Sequence, residues 1–507
     1  MNNSWRVAGL VLGLCGLVCG QSNLRFKSHG ASSRSGAYEG GRLIELAKSP
    51  GVEGAEHFVF EMATPITPEL VESLESHEVR VLAYVPDNGV SVAINGTVVL
   101  RDLPVVWAGK LGSEQKLSPL LERNSAGGRR VYSIVEFHPD VNAGNMHEIV
   151  IDAGVELLER SGLLPSQLAV ASSLSALAQL AKSDAVSYIF PASPDLVAGR
   201  PVAACSSGLT PAGRMAPYSV TYGNGWEHSN NISYTFGSIT WKLPVDFVRQ
   251  EIIRALNEWA KYVQVGFWEN SNRSAKRNID ISFASGNHGD GMPFDGPGGT
   301  LAHTFYPAPP NPEPIAGDMH MDADENWSAG GEPDVFSLAL HEAGHALGLG
   351  HSDDPKDVMY AYYKHVTGLT PQDVATVRTL YPWKPDPSLV LATRPAPDTV
   401  TDPAVPLTGT VDGGLGTVTV RWYLSDQVQG TADGSRQWSI ASIPLIAGPN
   451  PIQIIATDAD GNSAALTVTV NYDDGSSSGP SGSLNTGGHK HEQTRKYGGL
   501  LQRKIYQ

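Results

Sequence analysis

Cysteine is scarce in this sequence. Three occur among 507 residues, Cys15, Cys19 and Cys205. The first two fall in an N-terminal apolar run, so the rest of the chain holds one thiol and has no internal disulfide to form. Long hydrophobic runs are lacking too: Val7 to Cys19 is too short to span a bilayer, and no later segment does better. There is no basic excess, because 36 Lys plus Arg stand against 52 Asp plus Glu, a formal net charge of −16. That balance argues against nucleic acid as a partner. It suits a chain that holds divalent cations, although a solvated acidic surface gives the same count.

Arg6, the apolar run and Val18-Cys19-Gly20 read as a secretory signal over residues 1–20, cleaved before Gln21. A lipidated Cys19 is the alternative, and Val18 is a poor residue to precede one. The expected location is therefore secreted and extracellular, with no transmembrane segment in the mature chain. The 54 Gly and 35 Pro imply many turns, and the length requires several domains.

After a Ser- and Gly-rich leader to about Gly54, strand and helix patterns alternate. Phe58 to Phe60, Val79 to Val85 and Val90 to Ile94 read as strands, with a helix starting after Thr67-Pro68. A second stretch repeats the outline: strand Val131 to Phe137, helix Ala153 to Ser161, strand Leu168 to Ser172, helix Leu174 to Ala181 and strand Val186 to Phe190. Two tandem α+β units are expected across residues 21–205, closed by a linker from Gly199 to Met215 that contains Cys205. Farther on, Val248, Ile252, Leu256, Trp259 and Val263 fall on one stripe at helical spacing and belong to a core. Thr370-Pro371 starts another helix. Residues 386–473 alternate as an all-β sandwich, for example at Val418, Val420 and Trp422, and residues 474–507 read as a disordered tail.

The chemistry is concentrated in His341-Glu342-Ala343-Gly344-His345-Ala346-Leu347-Gly348-Leu349-Gly350-His351. Asp334 can cap a helix over Val335 to Ala346, on which His341 and His345, four apart, share a face and can share a cation. Glu342 lies one step round, within reach of a water on that metal. Gly348 and Gly350 let the chain turn sharply so that His351 returns as a third ligand. Three neutral imidazoles leave a fourth position open, as a catalytic zinc requires. Met359, in Val358-Met359-Tyr360, follows where a methionine turn would floor the site. This is the metzincin pattern.

Flanking motifs narrow the resemblance. His288-Gly289-Asp290-Gly291, Pro293 to Thr300, Leu301-Ala302-His303 and Asp318-Met319-His320 occur in order before the zinc run. Together with the zinc run they resemble the catalytic domain of matrixins, the matrix metalloproteinase family, over residues 218–383, within an expected domain at 206–385. The resemblance implies a twisted, mostly parallel sheet with three helices. It implies a structural zinc held by His288, Asp290, His303 and His320. It also implies a calcium loop of Asp295, Gly296, Gly298 and Thr300 completed by Asp322 and Glu325, and a second calcium through Asp318. At that second calcium, Pro314 and Ala316 replace the usual glycines, and Asn278 a position that is often acidic. Thr300 to Phe305 resembles the edge strand along which matrixin substrates add, and residues 360–369 would wall the pocket for the side chain after the scissile bond. Ser337 falls where matrixins vary the depth of that pocket.

The α+β units resemble the ferredoxin-like propeptides of secreted bacterial proteases, and the sandwich resembles bacterial Ig-like modules. Cys205 stands where a cysteine switch would sit, although Ala203-Ala204-Cys205-Ser206-Ser207-Gly208 departs from the family's context, and an ordinary linker thiol is the plain alternative. The expected function is a secreted, monomeric zinc metalloendopeptidase made as a latent precursor, with Glu342 as base and then acid on a zinc-activated water. Its partners would be protein or peptide substrates, with a surface or polymer ligand for the sandwich. The alternative is an extracellular adhesion protein on an inactive peptidase fold. Asp458-Ala459-Asp460-Gly461-Asn462 is read as a hairpin turn rather than a calcium loop.

Overall fold

The computed structural model describes residues 24–27, 34–52, 54–124, 130–217, 221, 225–309, 311–329, 331–382, 384, 389–425, 427–459 and 462–475. The expected signal at 1–20 and nearly all of the tail at 474–507 lie outside these residues. Among the described residues no helix is long and apolar enough to cross a membrane.

The leader is more ordered than its composition suggests. Ala37–Glu39 and Arg42–Ala47 pair as antiparallel strands, and Leu43 and Leu46 bury into the first core. Behind them, strands Val79–Val85, Gly89–Ile94, Glu56–Met62 and Val105–Gly109 form an antiparallel sheet in that order, covered by helix Pro68–Ser76, whose N-cap is Thr67. A second antiparallel sheet runs Val186–Pro191, Val131–Phe137, Gln167–Ser172, Glu156–Leu158. The helix expected at Ala153 to Ser161 is not there; it spans Ala143–Asp152 instead. Asn142 caps its start by accepting from the Asn145 amide, Met146 and Val150 face the core, and Gly154 at φ +66° ends it. The two units meet at His57, whose ring lies between Asp140 and Asp184 and stacks on His138 at 4.0 Å.

The next sheet has seven strands, in the order Gly213–Arg214, Ala204–Thr210, Thr300–Phe305, Met319–Asp322, Asn278–Ala284, Ile232–Phe236, Phe267–Glu269. Four of its six pairings are parallel. Three helices accompany it, Val245–Ala260, Val335–Ala346 and Pro371–Val377. The apolar stripe of the first lies in the core with Leu338, Ala339 and Ala343 of the second. The expected linker is therefore corrected: Ala204–Thr210 is a strand of this sheet, although Ala-Cys-Ser-Ser-Gly carries little local strand preference. Beyond residue 389, one sheet of four strands and one of five face each other across a core that includes Val405, Trp438, Val420 and Ile454.

Candidate metal centre

Helix Val335–Ala346 is buried along its whole length. Asp334 caps it, accepting from the Ser337 amide at 2.8 Å and from the Tyr363 hydroxyl at 2.7 Å. The Trp259 indole donates to the Leu340 carbonyl at 2.9 Å, pinning the helix to its neighbour. Gly344 gives room to the methionine turn, because a Cβ there would stand 2.2 Å from the sulfur of Met359, which would have to shift. The turn out of the helix uses Gly348 at φ +100°. Gly350 does not adopt a left-handed backbone, so one glycine rather than two makes the reversal.

Nδ1 of His341 lies 2.7 Å from the Val358 carbonyl, and Nδ1 of His345 lies 2.7 Å from the Leu349 carbonyl. A carbonyl only accepts, so both Nδ1 atoms carry the proton and both Nε2 atoms present lone pairs. Those lone pairs converge: His341 Nε2 is 3.1 Å from His345 Nε2, which is 3.3 Å from His351 Nε2. Burial drives the rings toward neutrality, taking His341 down to about 4 and the other two well below their usual value. Nitrogens that close without protons between them repel unless a cation lies among them. A tetrahedral ion with Zn–N bonds of about 2.0–2.1 Å fits that spacing.

Two further groups complete the centre. The Cys205 sulfur belongs to the same cluster as the three histidines, and its thiol donates to Glu342 Oε1 at 2.9 Å. Glu342 Oε2 accepts from the Thr304 hydroxyl at 2.6 Å. Burial pushes the Glu342 carboxyl up to about 7, against the smaller opposing effect of those two hydrogen bonds. Thr304 is absent from the sequence reading. The signal was the alternation of strand Thr300–Phe305, which sends His303 to one face and Thr304 to the other.

That strand joins a second cluster. His288 Nε2, His303 Nε2 and His320 Nδ1 each lie 2.7 Å from one oxygen of Asp290, and His303 Nε2 is 3.2 Å from His320 Nδ1. His303 and His320 are directly opposed in an antiparallel pair, which fixes their approach. The imidazoles hold the Asp290 carboxyl far below the usual carboxylate range, although burial alone would raise it. Three nitrogens and one carboxylate suit a closed tetrahedral zinc.

In the neighbouring loop, Asp295 accepts from the Thr300 amide and Glu325 from the Gly298 amide, both at 2.9 Å. Gly296 and Gly298 take φ of +84° and +88°. Asp322 Oδ2 is buried without a hydrogen bond, and burial together with neighbouring carboxylates raises both Asp322 (beside Asp324 and Asp295) and Glu325 (beside Asp322 and Asp295). Clustered, under-compensated carboxylate oxygens fit a calcium ion. Asp318 belongs to a different group. It accepts from the Asp280 amide at 2.8 Å, burial pushes it up to about 8, and the Arg273 guanidinium pairs with Asp280 beside it. The Asn278 amide is spent on Thr235.

Residues 203–205 fill the cleft in front of the histidines. Ala204–Thr210 runs parallel to Thr300–Phe305, the Cys205 amide donates to the Ala361 carbonyl at 3.0 Å, and the Tyr363 amide donates to Ala203 at 2.8 Å. The N-terminal region also grips the segment after His351, where Lys27 and the Tyr188 hydroxyl both reach Asp353. A cavity beside His341 is lined by Ser337, Tyr362, Tyr363, Lys364 and Val366. The Ser337 hydroxyl accepts from the Val366 amide at 2.9 Å and so ties down the wall of that cavity.

Residues 225–382 match the family model described as Matrixin, peptidase M10. Similar proteins include matrix metalloproteinase-16 of Homo sapiens, 37% identical over 197 residues, which are 36% of this chain and 31% of that protein. Matrilysin of Rattus norvegicus is 40% identical over 173 residues, 33% of this chain and 62% of that protein. Stromelysin-3 of Homo sapiens is 36% identical over 208 residues, 40% of this chain and 41% of that protein. The matches thus span less than two thirds of each relative's length.

Proposed function

From the premise that residues 225–382 are a matrixin domain, we propose that this chain is a zinc-dependent metalloendopeptidase, secreted as a latent precursor and acting on extracellular proteins. The observation that carries the reading is the convergence of the His341, His345 and His351 Nε2 atoms, 3.1 and 3.3 Å apart, beside the buried Glu342 carboxyl, which burial raises to about 7. In this reading His341, His345 and His351 hold the catalytic zinc, and Met359 packs beneath them against Gly344. His288, Asp290, His303 and His320 hold a structural zinc, while Asp295, Gly296, Gly298, Thr300, Asp322 and Glu325 serve calcium. Asp318 is the weakest candidate for a second calcium, because Arg273 already neutralises its neighbour Asp280.

When bound, the zinc supplies a Lewis acid that makes water acidic near neutral pH and polarises a peptide carbonyl. Glu342 takes the proton of that water and passes it to the leaving amine, a role for which a carboxyl near neutrality is suited. The Thr304 hydroxyl orients the Glu342 carboxylate from the far side. Substrate would lie along Thr300–Phe305, the edge that the Cys205 strand covers in the precursor. The Cys205 thiol, placed among the zinc ligands, keeps the precursor latent. We read the two four-stranded N-terminal sheets as ferredoxin-like propeptide units and the C-terminal sheets as an Ig-like sandwich.

Casein hydrolysis by the processed chain, with and without a chelator and beside Glu342→Ala, tests the enzyme. Activity in the untreated wild type alone supports it; equal activity in all three samples defeats it. A Cys205→Ser precursor should be more active than the unprocessed wild type, and no gain would remove Cys205 from the account.

A further inference from the structure

The C-terminal sandwich does more than hang from the peptidase. Leu415, at the tip of its 413–416 loop, is 2% exposed and lies in the same core cluster as Trp259, Leu338 and Met359 of the peptidase. The loop is stiff. Gly413, Gly414 and Gly416 all take left-handed φ. The Arg436 guanidinium donates to the Gly413 carbonyl at 2.6 Å. Asp458, from the motif read as a hairpin turn, accepts from the Leu415 amide at 3.0 Å and from the Asn462 amide at 2.9 Å. On the peptidase side, the buried Tyr262 hydroxyl donates to the Gly414 carbonyl at 3.0 Å.

The place where the loop lands decides its role. A Cβ on Gly416 would stand 3.5 Å from the Leu369 carbonyl and 3.5 Å from Pro371. One end of that peptidase segment is held by Val366 on Ser337, at the wall of the cavity beside His341. The other end is held by Asp373, which accepts from the Val358 amide at 2.9 Å and the Met359 amide at 3.2 Å. The sandwich loop therefore backs a segment tied at one end to the cavity wall and at the other to the methionine turn.

We propose that the Leu415 loop is a specificity-determining element: it braces residues 366–371 from behind and so fixes the shape of the pocket that takes the side chain after the scissile bond. This rests on the peptidase reading above. Leu415 and Tyr262 are positioning residues in it, acting through Leu369 and Val366 rather than touching substrate.

The test is hydrogen exchange on the full chain, joined to cleavage of two peptides that differ only in a long or a small side chain after the scissile bond, with the pro-region opened by limited proteolysis. Leu415→Ala should speed exchange of the 366–370 amides at least about tenfold and leave helix Val335–Ala346 unchanged, since only the local opening is made easier. It should also change the long-to-small ratio of kcat/KM at least about threefold. Tyr262→Phe, which keeps the ring in the core, should move both readings the same way by less, and it decides the matter should Leu415→Ala not fold. Unchanged exchange at 366–370 in the folded variants overturns the proposal, as does faster exchange with an unchanged ratio. If the wild type cleaves neither peptide, the peptidase reading fails, and the exchange data alone then decide whether the loop braces the segment.

Discussion

The two histidine clusters flank strand Thr300–Phe305 and use similar ligands, yet they treat their carboxylates in opposite ways. Asp290 is surrounded by three imidazole nitrogens at 2.7 Å and is held ionised. Glu342 stands beside the nitrogens rather than among them, in contact with a thiol and a hydroxyl, and burial leaves it near neutrality. A carboxylate that must bind a cation is best kept charged, whereas one that must carry a proton is best kept poised. The difference is produced by backbone placement: Asp290 sits in a turn facing strands, and Glu342 is locked on a fully buried helix.

The largest expected effect comes from removing the poised carboxyl. Glu342→Gln should lower kcat/KM by about 10²–10⁴-fold, the range of general acid–base catalysis, with zinc content unchanged. Loss of zinc in that variant would make Glu342 a ligand and erase the contrast. His303→Ala should act on the other side of the comparison, through folding rather than chemistry. Its thermal midpoint should fall on the order of 10 °C with one zinc equivalent lost, because binding energy at a closed site is folding energy. An unchanged midpoint would remove the structural role.

The two carboxyls should also give opposite pH dependence in chain stripped of zinc. Glu342 binds its proton more tightly when folded, so its contribution favours the fold below about 4.5 and is lost as pH rises through about 7. By linkage that is about 3 kcal/mol, removed in Glu342→Gln. Asp290 is depressed, so its contribution is present above its ordinary 3.8 and lost as pH falls below it; Asp290→Asn should flatten that acid limb. Urea unfolding between pH 3 and 8 reads both slopes, and slopes of the same sign would contradict the contrast. The smallest effect is expected at the cap. Asp334→Ala should cost about 1 kcal/mol in urea unfolding by fraying the start of the zinc helix, while leaving the strand-borne cluster's zinc in place.

What the sequence made legible follows from whether the signal is local. Asp334, His341, His345 and His351 lie within 18 residues of one another, so helical spacing and one tight turn brought them together on paper. The order of flanking motifs did the same for His288, Asp290, His303 and His320. The Cys205 strand carries no such local signal, because its partners Thr300 and Ala302 lie nearly a hundred residues away and its own residues have weak strand preference. Thr304 on Glu342, Lys27 on Asp353 and Leu415 in the peptidase core are likewise contacts between distant segments, with no period or spacing to announce them. The misplaced helix at Ala143–Asp152 was a local failure, where Asn142 and Gly154 were the overlooked boundaries.

Elemental analysis of the folded full chain beside His345→Ala tests the central claim most directly. The account predicts two zinc equivalents in the wild type and one in the variant, with Asp290, His288, His303 and His320 keeping theirs. A wild type whose zinc content is untouched by His345→Ala would contradict it.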